Sequence, residues 1–185
     1  MDMRDIEQFQ QKLIEVRKTS SDLSFAHWLR EELWTWGWWL SVALTILPWF
    51  VWWKFVDKKR TFEILTYGLF ITMMATFLDV VGSELVLWNY PTRILPIVPA
   101  MLPFDFTIAP IIFMLLYQYF PKWKSYLIAG VVISATLAFV AEPLLVKMNL
   151  YVLITWQYIY SFPIYLGAAI FAKWLVGNIK KATMR

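Results

Sequence analysis

Cysteine is absent from the 185 residues, and histidine occurs once, as His27. The first absence excludes disulfides, thiolate nucleophiles and cysteine-based zinc or iron–sulfur sites. The second leaves Ser/His/Asp chemistry with one candidate base, and it lies in a polar N-terminal segment where a surface role is expected. Charge is scarce too: Asp, Glu, Lys and Arg make up 16% of the chain, against about 25% in soluble domains. The +4 net charge is not a nucleic-acid signal, because the basic residues cluster at helix ends and form no phosphate-tracking stripe. No Asp-Asp-x-x-Asp cluster is present, which disfavours ionisation of a prenyl diphosphate. No cofactor or metal is implied, and the charged first twenty residues do not read as a cleavable signal peptide.

What is abundant is apolar sequence: 60% of residues are hydrophobic, in runs long enough to cross about 30 Å of hydrocarbon. The fold class expected is an all-α polytopic membrane bundle. Residues 1–33 form an amphipathic N-terminal segment, and residues 34–185 form one transmembrane domain. Its five spans are expected near 34–53, 63–87, 104–120, 126–141 and 152–176. In the N-terminal segment, Ile6, Phe9, Leu13 and Val16 share one helical stripe, and a second short helix with Leu23, Phe25, Ala26 and Leu29 partly buried is expected from Asp22. The segment should lie on the membrane or fold over the bundle. Two tryptophan groups, Trp34/Trp36/Trp38/Trp39 and Trp49/Trp52/Trp53, read as interfacial belts at either end of the first span. Pro48 and Pro163 predict kinks. Pro96, Pro99 and Pro103 break an apolar stretch, which should pack into the bundle mouth as a loop.

Loops 54–62, 121–125 and 173–185 carry ten Lys and Arg, whereas the opposite inter-span loops carry two, Arg93 and Lys147. The N-terminal segment adds five, alongside seven acids. The bias of the inter-span loops predicts the N-terminus outside and the C-terminus inside a multi-pass cell-membrane protein.

Against this background the remaining acids stand out. Asp79 lies sixteen residues from Glu63, Asp105 fifteen from Phe120, and Glu142 sixteen from Tyr126. At 1.5 Å per residue, three helices would bring a carboxyl to one level about 22–24 Å up, in the outer third of the hydrocarbon layer. Intramembrane acids are expensive and normally face a partner or serve a purpose. Asp79, Asp105 and Glu142 are therefore the candidate catalytic groups. Structural alternatives stand beside each: Asp105 as a helix-start cap, Glu142 at a helix C-terminus paired with Lys147, Glu84 paired with Arg93. Asp79, set among Leu78, Val80 and Val81 with Ser83 a turn above, is the hardest to explain structurally. Glu84, Trp88, Tyr90, Arg93, Trp156 and Tyr160 are candidate ligand-binding residues around this layer, with Tyr151 and Tyr158 nearby. Their aromatic faces could wall an apolar pocket and stabilise a cation.

Leu78-Asp79-Val-Val-Gly82, Leu87-Trp88-Asn-Tyr90-Pro91, Pro103-Phe-Asp105, Tyr117-Gln-Tyr119, Ala141-Glu142-Pro143 and Tyr160-Ser-Phe-Pro163-Ile-Tyr165 together resemble a family of small polytopic membrane proteins of spore-forming bacteria. That resemblance implies fold and membrane location but no activity. A fainter similarity, on Asp79, Trp88-Asn-Tyr90 and Pro103-Phe-Asp105, is to small integral-membrane carotenoid (lycopene) cyclases. There the proline element carries paired glutamates, whereas this chain has the single Asp105.

Three functions remain open from the residues. The first is acid–base processing or binding of an apolar lipid such as an isoprenoid in a pocket on the outer-leaflet side. The second is a proton- or cation-coupled transporter, and the third a non-catalytic structural or sensor protein. The partners implied are membrane lipids and an apolar small molecule; self-association into a homo-oligomer is left open, and nucleic acid is not implied.

Overall fold

The computed structural model describes residues 2–98 and 100–183. Pro99 and Arg185, invoked above for the broken loop and the basic tail, lie outside them, as do Met1 and Met184. The described chain is mostly helical, with irregular segments between helices and one two-residue strand pair. Helix α1 spans Met3–His27 and continues through a wide i→i+5 turn, Trp28–Glu32. Helix α2 spans Trp36–Phe55, α3 Thr61–Glu84, α4 Phe104–Tyr119, α5 Trp123–Lys147 and α6 Tyr158–Thr183. Strand β1, Trp88–Asn89, pairs antiparallel with β2, Val152–Leu153, with Trp88 opposite Leu153.

Three stretches are long and apolar enough to cross a membrane: Lys58–Glu84, Trp123–Lys147 and Tyr158–Ala182. Their outward faces are as apolar as their inward ones, with Leu69, Met73 and Phe77 on α3 and Ile128, Val132 and Phe139 on α5 all exposed. A helix apolar all round suits lipid on one side and protein on the other. Inside, α3 packs on α4 and α6, α5 packs on α6, and α2 lies against the first turn of α4. The tightest layer joins Ile64, Tyr67, Phe113, Met114 and Tyr126. There the Tyr67 and Tyr126 hydroxyls meet at 2.7 Å, and Tyr126 donates to the Ala169 carbonyl at 2.8 Å. A Cβ on Gly68 would fall 2.5 Å from Met114 Sδ, so glycine lets α3 and α4 close together.

At the basic end, Glu63 accepts from Arg60 (3.1 Å), Tyr117 (2.7 Å) and Lys180 (2.8 Å), tying α3 to α4 and α6. Lys173 is buried yet satisfied: its ammonium donates to the Phe120 and Pro121 carbonyls at the end of α4 and lies 3.8 Å from the Tyr126 ring centroid. Such a cation belongs at a helix C-terminus, where carbonyls are left over.

Several expectations are corrected. The N-terminal segment is one helix rather than two, and Leu23, Phe25, Ala26 and Leu29 are exposed, because α1 makes its main contacts with its own continuation. Helix α1 has no buried residue, and only the wide turn after it, through Trp28 and Glu32, touches the bundle's loop at Arg93. Trp49 and Trp52 leave the supposed belt and turn inward, Trp49 donating to Thr107 at 3.1 Å and Trp52 becoming buried. The fourth helix does not stop at Glu142-Pro143. A wide turn at Leu137–Ala141 changes the local hydrogen-bond spacing, and the helix continues to Lys147; proline is tolerated at the start of a new helical register, where its missing N–H is no loss. Residues 152–153, expected to open the fifth span, are β2 instead.

Candidate functional site

The buried stripe of α3 runs Ile64, Tyr67, Gly68, Ile71, Asp79 and Gly82, spacings of three, four and their sums that lie on one helical face. Asp79 therefore points inward because of its register. Beyond Glu84 the chain reverses at Val86, whose φ is 55°, and Leu87 N–H closes back on the Gly82 carbonyl at 2.9 Å. The Leu87 carbonyl then accepts from Ile154, Thr155 and Trp156. This reversal and the β1–β2 pairing carry Trp88 and Tyr90 back over Asp79. Trp88 Nε1 donates to Asp79 Oδ1 at 2.7 Å, the Tyr90 hydroxyl donates to the same oxygen, and Met101 N–H donates to Oδ2 at 2.7 Å. Met101 belongs to the proline-broken stretch, which packs over the bundle mouth with Pro96, Ala100 and Pro103 buried.

Asp105 sits in a wide turn, Phe104–Ile108, at the start of α4. Its side chain is buried, faces Asp79 directly and lies beside the Met101 N–H, while its Oδ2 has no hydrogen-bond partner. Glu142, also buried, follows the wide turn in α5. The Tyr165 hydroxyl donates to its Oε1 at 2.6 Å, and Oε2 has no partner. Ser161 lies beside it and accepts from Trp156 Nε1 at 2.9 Å.

All three acids line a single open cavity of about 250 Å³ between α3, α4, α5 and α6. Aromatic rings form its polar end. Tyr90 and Tyr151 stack with centroids 5.5 Å apart, and Trp88 meets Trp156 edge-on at 5.0 Å. From the carboxyls the lining continues along Ala75 and Ile71 of α3, Ala109 and Phe113 of α4, and Ile164 and Ala168 of α6. Asp79 to Ile71 is eight residues, so this apolar arm is about 12 Å long. Among the described residues, no Lys, Arg or His is in the lining.

No family model, curated protein or solved structure matches this chain. Its chemistry is therefore argued from the cavity itself.

Of the residues singled out in the sequence, Asp79, Asp105, Glu142, Trp88, Tyr90 and Trp156 line the cavity, and Glu84, Arg93 and Tyr160 do not. Glu84 is exposed and is not the partner of Arg93. That partner is Glu32, which accepts from Arg93 N–H at 2.7 Å and from its guanidinium at 3.4 Å. Trp28 Nε1 adds a bond to the Arg93 carbonyl at 2.9 Å. The N-terminal segment thus reaches the loop after β1 and takes the arginine away from α3. Tyr160 is exposed and touches only the rim, its ring 5.3 Å from that of Trp156. Lys147 is exposed and makes no ion pair with buried Glu142. His27, also exposed, lies 3.7 Å from Glu32. Tyr151, named among the aromatics around the acid layer, lines the cavity; Ser161 and Tyr165 were missed as site residues, and the helical spacing of Ser161, Ile164, Tyr165 and Ala168 on one face of α6 was the available signal.

Proposed function

We propose that this is a five-span integral membrane protein, N-terminus outside and C-terminus inside, whose inter-helix cavity binds an elongated, membrane-soluble ligand by its polar end. The observation that carries the proposal is the shape and chemistry of the cavity: three carboxyls at one end and an apolar arm of about 12 Å leading away from them. Mostly apolar pockets with a few convergent polar groups are the usual form of small-molecule sites. Leu78 and Val81 line the cavity and are also exposed on α3, which suits entry from the lipid side.

Binding is favoured over conduction. Below the apolar arm the packed layer of Tyr67, Met114 and Tyr126 is closed, so a ligand would enter and leave by one end. Any acid–base step falls to Glu142 and Asp105, each with a free carboxyl oxygen. Asp79 already accepts three hydrogen bonds and serves to hold the aromatic wall. The faint cyclase resemblance would give Asp79 the catalytic part, and its engagement argues against that assignment.

The test is lipid extraction from protein purified in mild detergent, followed by mass spectrometry, beside an Ala75→Trp variant that fills the cavity. An apolar species enriched with the wild type and lost from the variant is the expected result. Equal lipid profiles for the two would remove the ligand-binding reading.

A further inference from the structure

The polar wall of the cavity holds two carboxyl oxygens with no hydrogen-bond partner among the described residues. Trp88 Nε1, the Tyr90 hydroxyl and Met101 N–H all donate to Asp79. The Tyr165 hydroxyl donates to Glu142 and Trp156 Nε1 to Ser161. Two oxygens of cavity-lining residues, Glu142 Oε2 and Asp105 Oδ2, on residues each 3% exposed, have no partner among the described residues, although the Ser161 hydroxyl lies beside Glu142 and Met101 N–H beside Asp105. Buried acceptors of this kind cost free energy until something donates to them.

Charge points the same way. Asp79 and Asp105 face each other, Glu142 shares their cavity, and no basic side chain lines it. Facing carboxyls repel unless a proton or another positive charge compensates them. A proton would satisfy the pair with no help from a ligand. It would not explain why Trp88, Tyr90, Tyr151 and Trp156 surround the same end, an aromatic setting that attracts cations through the ring faces.

We propose that the ligand carries a primary or secondary ammonium at the head of its apolar chain, with Glu142 Oε2 and Asp105 Oδ2 accepting its N–H groups. This rests on the ligand-binding reading above and narrows it to one head-group chemistry. An ammonium donates without accepting, which matches the two unpartnered carboxyl oxygens. A quaternary ammonium would leave both oxygens unsatisfied. A lipid with phosphate beside its amine is disfavoured, since nothing cationic lines the cavity to receive the phosphate.

The experiment titrates dodecylamine, dodecanol and dodecanoic acid against the full chain in phosphatidylcholine nanodiscs, reading bound ligand by native mass spectrometry. The amine should bind at a concentration at least about tenfold lower than the alcohol, the difference a charge-assisted hydrogen bond makes, and the acid should bind least. In Glu142→Gln and Asp105→Asn, chosen singly so that at least one folds, the preference for amine over alcohol should shrink, while Ala75→Trp should abolish binding of both. Alcohol binding as well as amine in the wild type would overturn the head-group proposal and leave the apolar-ligand reading standing. Failure of all three to bind, or binding that Ala75→Trp leaves untouched, would remove both.

Discussion

Trp88 donates its indole N–H to Asp79 at 2.7 Å, and its ring lies so close to α3 that a Cβ on Gly82 would stand 2.0 Å from it. The hydrogen bond and the glycine are two halves of one device: the ring reaches the carboxyl only because α3 has no side chain at residue 82. Gly82→Ala should therefore drive Trp88 off Asp79. In an ordinary helix interior the same change stabilises by about 1 kcal/mol. Here a loss of about 2–3 kcal/mol is expected from the broken buried bond and displaced ring. Thermal unfolding in detergent decides by sign, and a stabilised variant would contradict the close approach.

Asp79→Asn keeps the size of the side chain but not its acceptors. Oδ1 serves Trp88 and Tyr90, and Oδ2 serves Met101 N–H. An amide must turn its NH₂ toward donors on one side or the other. The expected loss is about 1–3 kcal/mol, with increased proteolysis in the 96–103 loop as the Met101 contact goes. Wild-type stability with unchanged protease sensitivity would mean that Asp79 does not hold the loop.

The layer of acids was legible in the sequence because a helix advances by a constant rise, so counting from the basic ends of α3, α4 and α5 brought Asp79, Asp105 and Glu142 to one level. The partners were not legible. Met101 meets Asp79 from an irregular segment with no period to count, and Glu32 reaches Arg93 across 61 residues. Glu84 seemed the natural mate for Arg93 because it is near in sequence. Local distance says nothing about a segment that returns from the chain's other end. The wide turns at Phe104–Ile108 and Leu137–Ala141 also shift helical register without a residue pattern that announces them. The end of α5 was misplaced for that reason.

Glu32 is 2% exposed and bound to both the backbone and the guanidinium of Arg93. Removing one partner of a buried ion pair leaves the other uncompensated, at a typical cost of about 3–5 kcal/mol. Because Arg93 is only half-buried, Glu32→Ala should fall at or below the lower end, and Glu32→Ala/Arg93→Ala should cost less than the sum of the two single changes. Additive losses in thermal unfolding would show that the two residues do not act as a pair.

Val86 holds a left-handed φ of 55° at the end of α3, where a β-branched side chain is strained. Asn149 does the same after α5 with φ 57°, and asparagine tolerates that region far better. The Val86 side chain is 59% exposed, so little packing is lost on removing it. Val86→Gly should raise stability by about 1 kcal/mol, seen as a higher unfolding temperature. A lower one would mean that the valine side chain contributes more to the β1 turn than its backbone costs.

Whether the bundle has five spans turns on α2 and on α4, whose apolar helix Phe104–Tyr119 is shorter than the three long stretches. The 20 residues of α2, Trp36–Phe55, would extend about 30 Å, enough to cross the hydrocarbon. The chain has no native cysteine, so single cysteines report topology without background. Ser20→Cys, Asn89→Cys and Thr155→Cys should react with an impermeant maleimide on intact cells, and Lys59→Cys, Lys124→Cys and Lys181→Cys only after permeabilisation. The basic residues at positions 59, 124 and 181 predict that their side is the inner one. The decisive comparison is position 20 against position 59, which flank α2 alone. If both label only after permeabilisation while 89 and 155 label from outside, α2 lies along the membrane instead of crossing it, the N-terminus is inside, and the bundle has four crossings.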